Sequence, residues 1–231
     1  VIIVWHICAI GDFQPIVKRQ MQLIYELCEC NLICLHVNVV GPGYLEFPDE
    51  FYPLIDSRYE NKNPKVFEIH SINLVKTLAD LQGENTPILY LNTRGVSYPI
   101  GSSYRTCVDS WSNILEHYAL VRYQDCLEAL KTNDTCSSIL YKSPLPHYSG
   151  NMWWANSDYI KRLPYLTKET SQRTKFTTTP LNDDERISGI ARHDCEFWLL
   201  QGKGVKAATL YNPPDGVCLY HQIIDPKEYI K

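Results

Sequence analysis

The chain opens on Val1-Ile2-Ile3-Val4-Trp5-His6-Ile7-Cys8-Ala9-Ile10, an apolar run broken only by His6 and closed by Gly11-Asp12. A run of this kind suits a strand covered on both faces, because a strand with one wet face alternates apolar and polar residues. Such a strand needs a layer above it and a layer below. The sequence supplies helices to build them: from Pro15 to Cys30, Ile16, Met21, Leu23, Ile24, Leu27 and Cys28 approximate helical spacing. Pro15 stands where a first turn has no use for its missing N–H.

The same alternation continues. Leu32 to Val40 predicts a second strand closed by Gly41-Pro42-Gly43, Lys65 to His70 a shorter third, and Pro87 to Leu91 a fourth, with a helix over 71–81 and irregular chain over 44–64. Val108 to Leu130 predicts the longest helix; Ser137 to Lys142 and Met152 to Ala155 predict strands. Asp183 to Leu200 predicts a helix with Asp183 and Asp184 at its positive end, preceded by a mobile loop over 164–182 that contains Thr177-Thr178-Thr179-Pro180. Strand and helix in alternation define an α/β fold, a mostly parallel central sheet flanked by helices, within a single domain.

Composition narrows the function classes. A formal charge of -4 over 231 residues leaves no basic footprint for nucleic acid. No apolar run approaches the roughly 18 to 20 residues of a transmembrane segment, and Val1 to Ile10 has neither a basic leader nor a small-residue cleavage site, so the expectation is a soluble, unprocessed, cytoplasmic protein. Nine cysteines, several in apolar stretches as Cys8, Cys34, Cys126 and Cys195 are, fit reduced and buried thiols. Cys28 and Cys30 are too close for the usual zinc spacing.

Ligands of an open α/β sheet sit beyond the carboxyl ends of its strands, which singles out residues 6–13, 41–45 and 92–97. Asn92-Thr93-Arg94-Gly95-Val96-Ser97 places a fixed cation beside accessible backbone, a setting for a diphosphate or simply for an exposed turn. Gly150-Asn151-Met152-Trp153-Trp154 offers an amide and two indoles, the groups that bind sugar hydroxyls and C–H faces. Adjacent strand residues point to opposite faces, so one indole at most faces a pocket and the other is core. In Arg192-His193-Asp194-Cys195-Glu196-Phe197-Trp198 the two carboxylates lie roughly 200° apart on a helix, so only one of Asp194 and Glu196 can point into a site, as a general base for an acceptor hydroxyl; the alternative is a solvated helix face. Asp183-Asp184-Glu185-Arg186 reads as a solvated helix cap rather than a metal site.

The order Trp5-His6-Ile7-Cys8-Ala9-Ile10-Gly11, then Leu89-Tyr90-Leu91-Asn92-Thr93-Arg94-Gly95-Val96-Ser97, then His147-Tyr148-Ser149-Gly150-Asn151-Met152-Trp153-Trp154-Ala155, then Cys195-Glu196-Phe197-Trp198 resembles glycosyltransferase-like proteins of the GT-A fold. These occur in bacteria and large DNA viruses, including viruses of algae. The resemblance spans Val4 to about Trp198. It implies a GT-A-like sheet with a nucleotide-binding half over 1–95 and a donor-sugar and acceptor half over 96–231. It further implies a glycosyltransferase that moves a sugar from a nucleotide-diphosphate sugar to a glycan or other hydroxyl acceptor, or a binding module of the same fold that has lost catalysis. By the same analogy His6, Ile10, Gly11, Asn92, Thr93, Arg94 and Gly95 hold the nucleotide and diphosphate. His147, Gly150, Asn151 and one of Trp153 and Trp154 line the sugar and acceptor junction, and Glu196 or Asp194 is the base. The family pattern has His-Thr-Lys-Gly-Val where this chain has Asn92-Thr93-Arg94-Gly95-Val96. Many GT-A enzymes hold a manganese or magnesium ion on an Asp-x-Asp pair that is absent from this sequence. Activity is then expected to be partly or wholly independent of metal, with Arg94 on the diphosphate, a manganese or magnesium ion left open, and no metal ligand assigned.

Overall fold

The structure, a computed structural model, describes residues 1–30, 33–99, 101–172, 190, 192–213, 217–219 and 221–230. The opening apolar run forms β1 (Ile2–Cys8), every residue of it buried except the half-buried Cys8 at its end. It pairs in parallel with β2 (Cys34–Val40) on one side and β4 (Pro87–Asn92) on the other, and β3 (Ile55–Asn61) adds in parallel outside β2. Beyond β4 come β8 (Trp153–Asn156), β5 (Thr135–Ser137) and β9 (Ala207–Thr209), giving a seven-stranded sheet in the order β3-β2-β1-β4-β8-β5-β9. Only β8 runs against its neighbours. A separate hairpin pairs β6 (Leu140–Tyr141) with β7 (His147–Tyr148). The fold is α/β with a mostly parallel sheet, as the alternation of patterns predicts, and its strands come from both halves of the chain.

Helices cover both faces. On one lie α1 (Gln14–Cys30), α3 (Ser103–Glu116), a π-helical turn (His117–Val121) and α4 (Tyr123–Leu130), packed on Trp5, Ile7, Leu89, Leu91 and Trp154. On the other lie α2 (Ile69–Leu81), α5 (Ser157–Ile160) and α6 (Arg192–Phe197), packed on Val4, Ile88, Tyr90 and Trp153. Successive residues of β1, β4 and β8 therefore divide between two cores, which is why an unbroken apolar run was needed.

Several expectations are corrected. Lys65 to His70 is not a strand: Asn63 caps a 3-10 turn (Pro64–Val66), Phe67 takes a positive φ of 48°, and α2 begins at Ile69. The third strand lies instead at Ile55–Asn61, in chain read as irregular, because it is an outer strand whose polar residues face solvent and carry no run or clean alternation. The long helix over 108–130 starts earlier, at Ser103, and is divided by the π-helical turn, whose extra residue per turn shifts the apolar stripe between α3 and α4. The strand expected over 137–142 is two short strands, β5 and β6. Cys34 is exposed, whereas Cys107, Cys126, Cys136 and Cys195 are buried thiols. The Thr run 177–179, Pro180 and the acidic cluster 183–186 lie outside the described residues. Among those described, no helix is long and apolar enough to cross a membrane.

Gly150 links the hairpin to β8 with φ at 71°, and a Cβ there would stand 2.3 Å from Leu115 Cδ1. Gly150→Ala combines backbone strain with overpacking against a buried side chain, so its urea midpoint should fall by the equivalent of about 1–3 kcal/mol at unchanged slope. An unaltered midpoint would contradict this packing.

Candidate functional site

The chain adds β2 and β3 on one side of β1 and then crosses to place β4 on the other, so the strand order reverses between β1 and β4. The loops leaving two such strands diverge and open a crevice at their carboxyl ends. A cleft of ≈ 220 Å³ occupies that place, lined by the ends of β1 (His6, Cys8, Ile10), β2 (Val40) and β4 (Asn92 to Ser97), the entry to α2 (Pro64, Phe67, Glu68) and Arg192.

The two strand ends are tied together before any ligand arrives. Thr93 Oγ1 accepts from Cys8 N at 2.9 Å and Thr93 N donates to His6 O at 3.2 Å. The Asn92 carbonyl accepts from Gln20 Nε2 at 2.8 Å, and Gln20 Oε1 takes the Trp5 indole N–H at 2.8 Å. Gly11, with φ at 53°, lets the β1–α1 loop press against Val96, whose carbonyl oxygen would lie 2.4 Å from a Cβ at that position. Ile10 faces the cleft, while Gly11 lines a wider groove of ≈ 770 Å³ formed with Phe13, Tyr44 and Phe47.

Glu68, which the sequence reading did not single out, organises the cleft floor. Its Oε2 accepts from Asn151 Nδ2 at 2.6 Å, Tyr90 Oη at 2.7 Å and Asn92 Nδ2 at 3.4 Å. The Asn92 amide nitrogen also donates to the carbonyls of Gly150 and Asn151, at 3.0 and 3.2 Å. No local motif marks Glu68. Its one sequence signal is its place just before a helical pattern, and reading 65–70 as a strand obscured that.

The floor continues into His6, whose Nδ1 lies 2.8 Å from Ser71 Oγ, itself accepting from Asn38 Nδ2 at 3.0 Å. Burial lowers the His6 pKa, with Glu68 opposing, so the neutral ring is favoured. Burial likewise pushes the Cys8 thiol up to about 11, with Glu68 adding to it, so Cys8 is a thiol at neutral pH and not a nucleophile.

At the rim, Arg94 lies with its guanidinium carbon 4.3 Å from the centre of the Trp111 ring and Nη1 3.6 Å from Glu196 Oε1. The cation and one of the two candidate carboxylates, far apart in sequence, therefore meet, both largely buried. Gly95 carries the turn after Arg94 with φ at 95°. Asp194 points away from this meeting: its carboxylate accepts from Ser171 Oγ and Gln172 N, both at 2.8 Å, and pins that segment.

The 147–154 segment is placed differently from its sequence reading. Trp153 and Trp154 do face opposite sides of the sheet, but both are core. Trp153 stacks on Tyr90 at 5.1 Å and donates to Asn151 Oδ1, while Trp154 donates to Ala119 O. Asn151 spends its amide on Glu68 and its oxygen on Trp153. His147 packs edge-on against Phe197 at 5.2 Å, outside the cleft lining. The amide and indole expected to face a sugar are instead buried supports of the floor, because Asn151 Nδ2 and Oδ1 and both indole N–H groups find their partners within the protein.

Fold and site together define an α/β domain of the mostly parallel, helix-covered kind, with a cleft at its topological switch point. The chain belongs to the family described as Domain of unknown function (DUF8361), whose pattern matches residues 12–229. No curated protein matches it.

Because His6 is held neutral in the folded state, the unfolded chain takes up the additional proton on acidification. His6 therefore contributes stability that is complete above its ordinary value of about 6.5 and is lost as pH falls below it. Thermal midpoints measured from pH 7.5 to 5 should decline more steeply for the wild type than for His6→Gln. Parallel curves would show that His6 titrates normally.

Proposed function

We propose that the chain is a GT-A-like glycosyltransferase that accepts a nucleotide-diphosphate sugar in the β1–β4 cleft and passes the sugar to a glycan or another hydroxyl acceptor. The observation that carries this reading is the pairing of Arg94, which lines the cleft at the end of β4, with Glu196, which stands just outside the lining. The nucleoside lies against His6, Ile10, Val40 and Phe67, and the diphosphate reaches Arg94 and Arg192. A diphosphate is a stronger partner for Arg94 than one carboxylate, so its arrival draws the guanidinium off Glu196 and frees the base. The acceptor hydroxyl then gives its proton to Glu196 as its oxygen bonds to the anomeric carbon. The bond from that carbon to the diphosphate oxygen breaks, and Arg94 compensates the departing charge.

The donor set fits a divalent cation poorly. Magnesium and manganese ask for several oxygen ligands. At the end of β4 stand Asn92 with its amide nitrogen on two carbonyls, Thr93 with its hydroxyl on Cys8 N, and Arg94; the cleft's carboxylate, Glu68, shares one oxygen among three donors. No step is therefore routed through a metal.

Internal use of Asn151 and both indoles favours a second reading, a binding module that keeps the cleft without transfer. A panel of nucleotide sugars screened by thermal shift, with and without manganese, decides between them. The transferase reading expects stabilisation by one member, slow hydrolysis of that sugar without acceptor, and turnover that persists in chelator. Arg94→Ala should lower turnover by about 10²-fold or more. Binding without any hydrolysis supports the module, and no stabilisation by any member overturns both.

A further inference from the structure

The sheet ends on β3, and the outer edge of that strand carries a pattern of its own. Asn61 O accepts from Gly41 N at 2.8 Å, and Ser57, Tyr59 and Asn61 stand opposite His36, Asn38 and Val40 of β2. The N–H and C=O of one strand residue point to the same side, so these three spend theirs on β2. Arg58 and Glu60, between them, turn theirs outward. Among the described residues no strand lies beyond β3, and Asp56, Ser57 and Glu60 are exposed.

An exposed edge is a template for another strand, and natural edges deter one with charge. Here the charges are not of one sign: Asp56, Arg58, Glu60 and Lys62 alternate at every second residue. Reversing that order inverts each sign, so an antiparallel copy of the edge is its complement. A copy centred on Tyr59 sets Arg58 against Glu60 of the partner subunit, and Glu60 against Arg58 of the partner subunit. Lys62, and Asp56 beside the bulge where its Oδ2 accepts from Leu35 N at 2.7 Å, extend the pattern at its ends.

In that register the outward residues meet as pairs that exchange two main-chain hydrogen bonds each. The two copies of Tyr59 meet as a non-hydrogen-bonded pair, the kind that brings side chains closest. Sliding the copy by two residues sets Arg58 against itself and Asp56 against Glu60, or Glu60 against itself and Arg58 against Lys62, and like charges directly opposite are destabilising. Sliding it by one sets outward groups against groups already spent on β2. The side chains are also held in place beforehand. Arg58 Nη2 donates to Leu45 O at 2.8 Å and lies 2.6 Å from Glu60 Oε1, and Tyr59 stacks on His70 at 3.8 Å. Little side-chain freedom is left to lose on docking.

We infer that β3 is a self-recognition edge: two copies of the chain pair antiparallel about Tyr59 into one continuous sheet, with Arg58 and Glu60 setting the register. The contact is two-fold and uses the one edge of each copy, so it closes at a dimer. It is independent of what the cleft binds.

Sedimentation equilibrium of the full chain, from about 5 to 500 µM at low and at high salt, tests this. A monomer–dimer equilibrium is expected, weakened about threefold or more by the salt that screens the four charges. Glu60→Lys faces Arg58 of the partner subunit with a like charge at both symmetric places, so association should weaken by about tenfold or more. Mixing Glu60→Lys with Arg58→Glu should restore a heterodimer, with thermal midpoints confirming that each variant is folded. Register is read separately by oxidative cross-linking in a Cys34→Ser, Cys218→Ser background. Tyr59→Cys, opposite its own copy on the two-fold axis, should form a covalent dimer, and Ser57→Cys, opposite Asn61 of the partner subunit, should not. A chain that stays monomeric at about 500 µM in low salt overturns the inference. A dimer of undiminished strength in folded Glu60→Lys, or cross-linking at 57 in place of 59, overturns it equally.

Discussion

The carboxylate of Glu68 is the point on which the site is built. One oxygen gathers Tyr90 from β4, Asn92 from the end of β4 and Asn151 from the turn before β8. A single acceptor therefore joins the entry of α2, the central strand and the antiparallel strand inserted beside it. A charged acceptor satisfied by several donors is stronger than a neutral one and leaves little freedom to its partners. Asn92 is held there by its side chain, and its carbonyl is held by Gln20 from the opposite face of the sheet. Arg94, two residues on, leaves a backbone that cannot drift.

This explains why the segment richest in binding-site chemistry is not on display. Gly150 must pass Leu115 closely, Asn151 sits at φ 53°, and both indoles fill the two cores. The amide and aromatic groups act one layer back, fixing the floor from beneath. The groups that line the cleft are plainer in sequence: His6 inside an apolar run, Asn92 at a strand end, and Glu68 before a helix.

Arg94 and Glu196 are the reverse case. Each is an ordinary charged residue in its own segment, and their significance lies in the pairing above Trp111. A guanidinium stacked on an indole keeps its charge while losing water, which strengthens its pull on any anion that enters. Asp194, equally acidic and two residues from Glu196, faces the other way and anchors residues 171 and 172. The helical offset between the two carboxylates was legible in sequence; which of them met a cation was not.

The sequence by itself determined the layers. A charge-free opening run, β-branched runs closed by glycine and amphipathic stretches between them require a parallel sheet covered on both faces, since no other arrangement buries those patterns. It also marked residues 92–97 as a strand end beside a ligand-bearing edge. Only the tertiary structure decided where the third strand lies, because an outer strand with a wet face has no periodic signature, and that the indoles are core. It alone placed Glu68 at the centre. Hydrogen-bond satisfaction in a buried cluster depends on which segments meet across the sheet, and residues 68, 92 and 151 meet only once β8 pairs with β4 and α2 packs over that face.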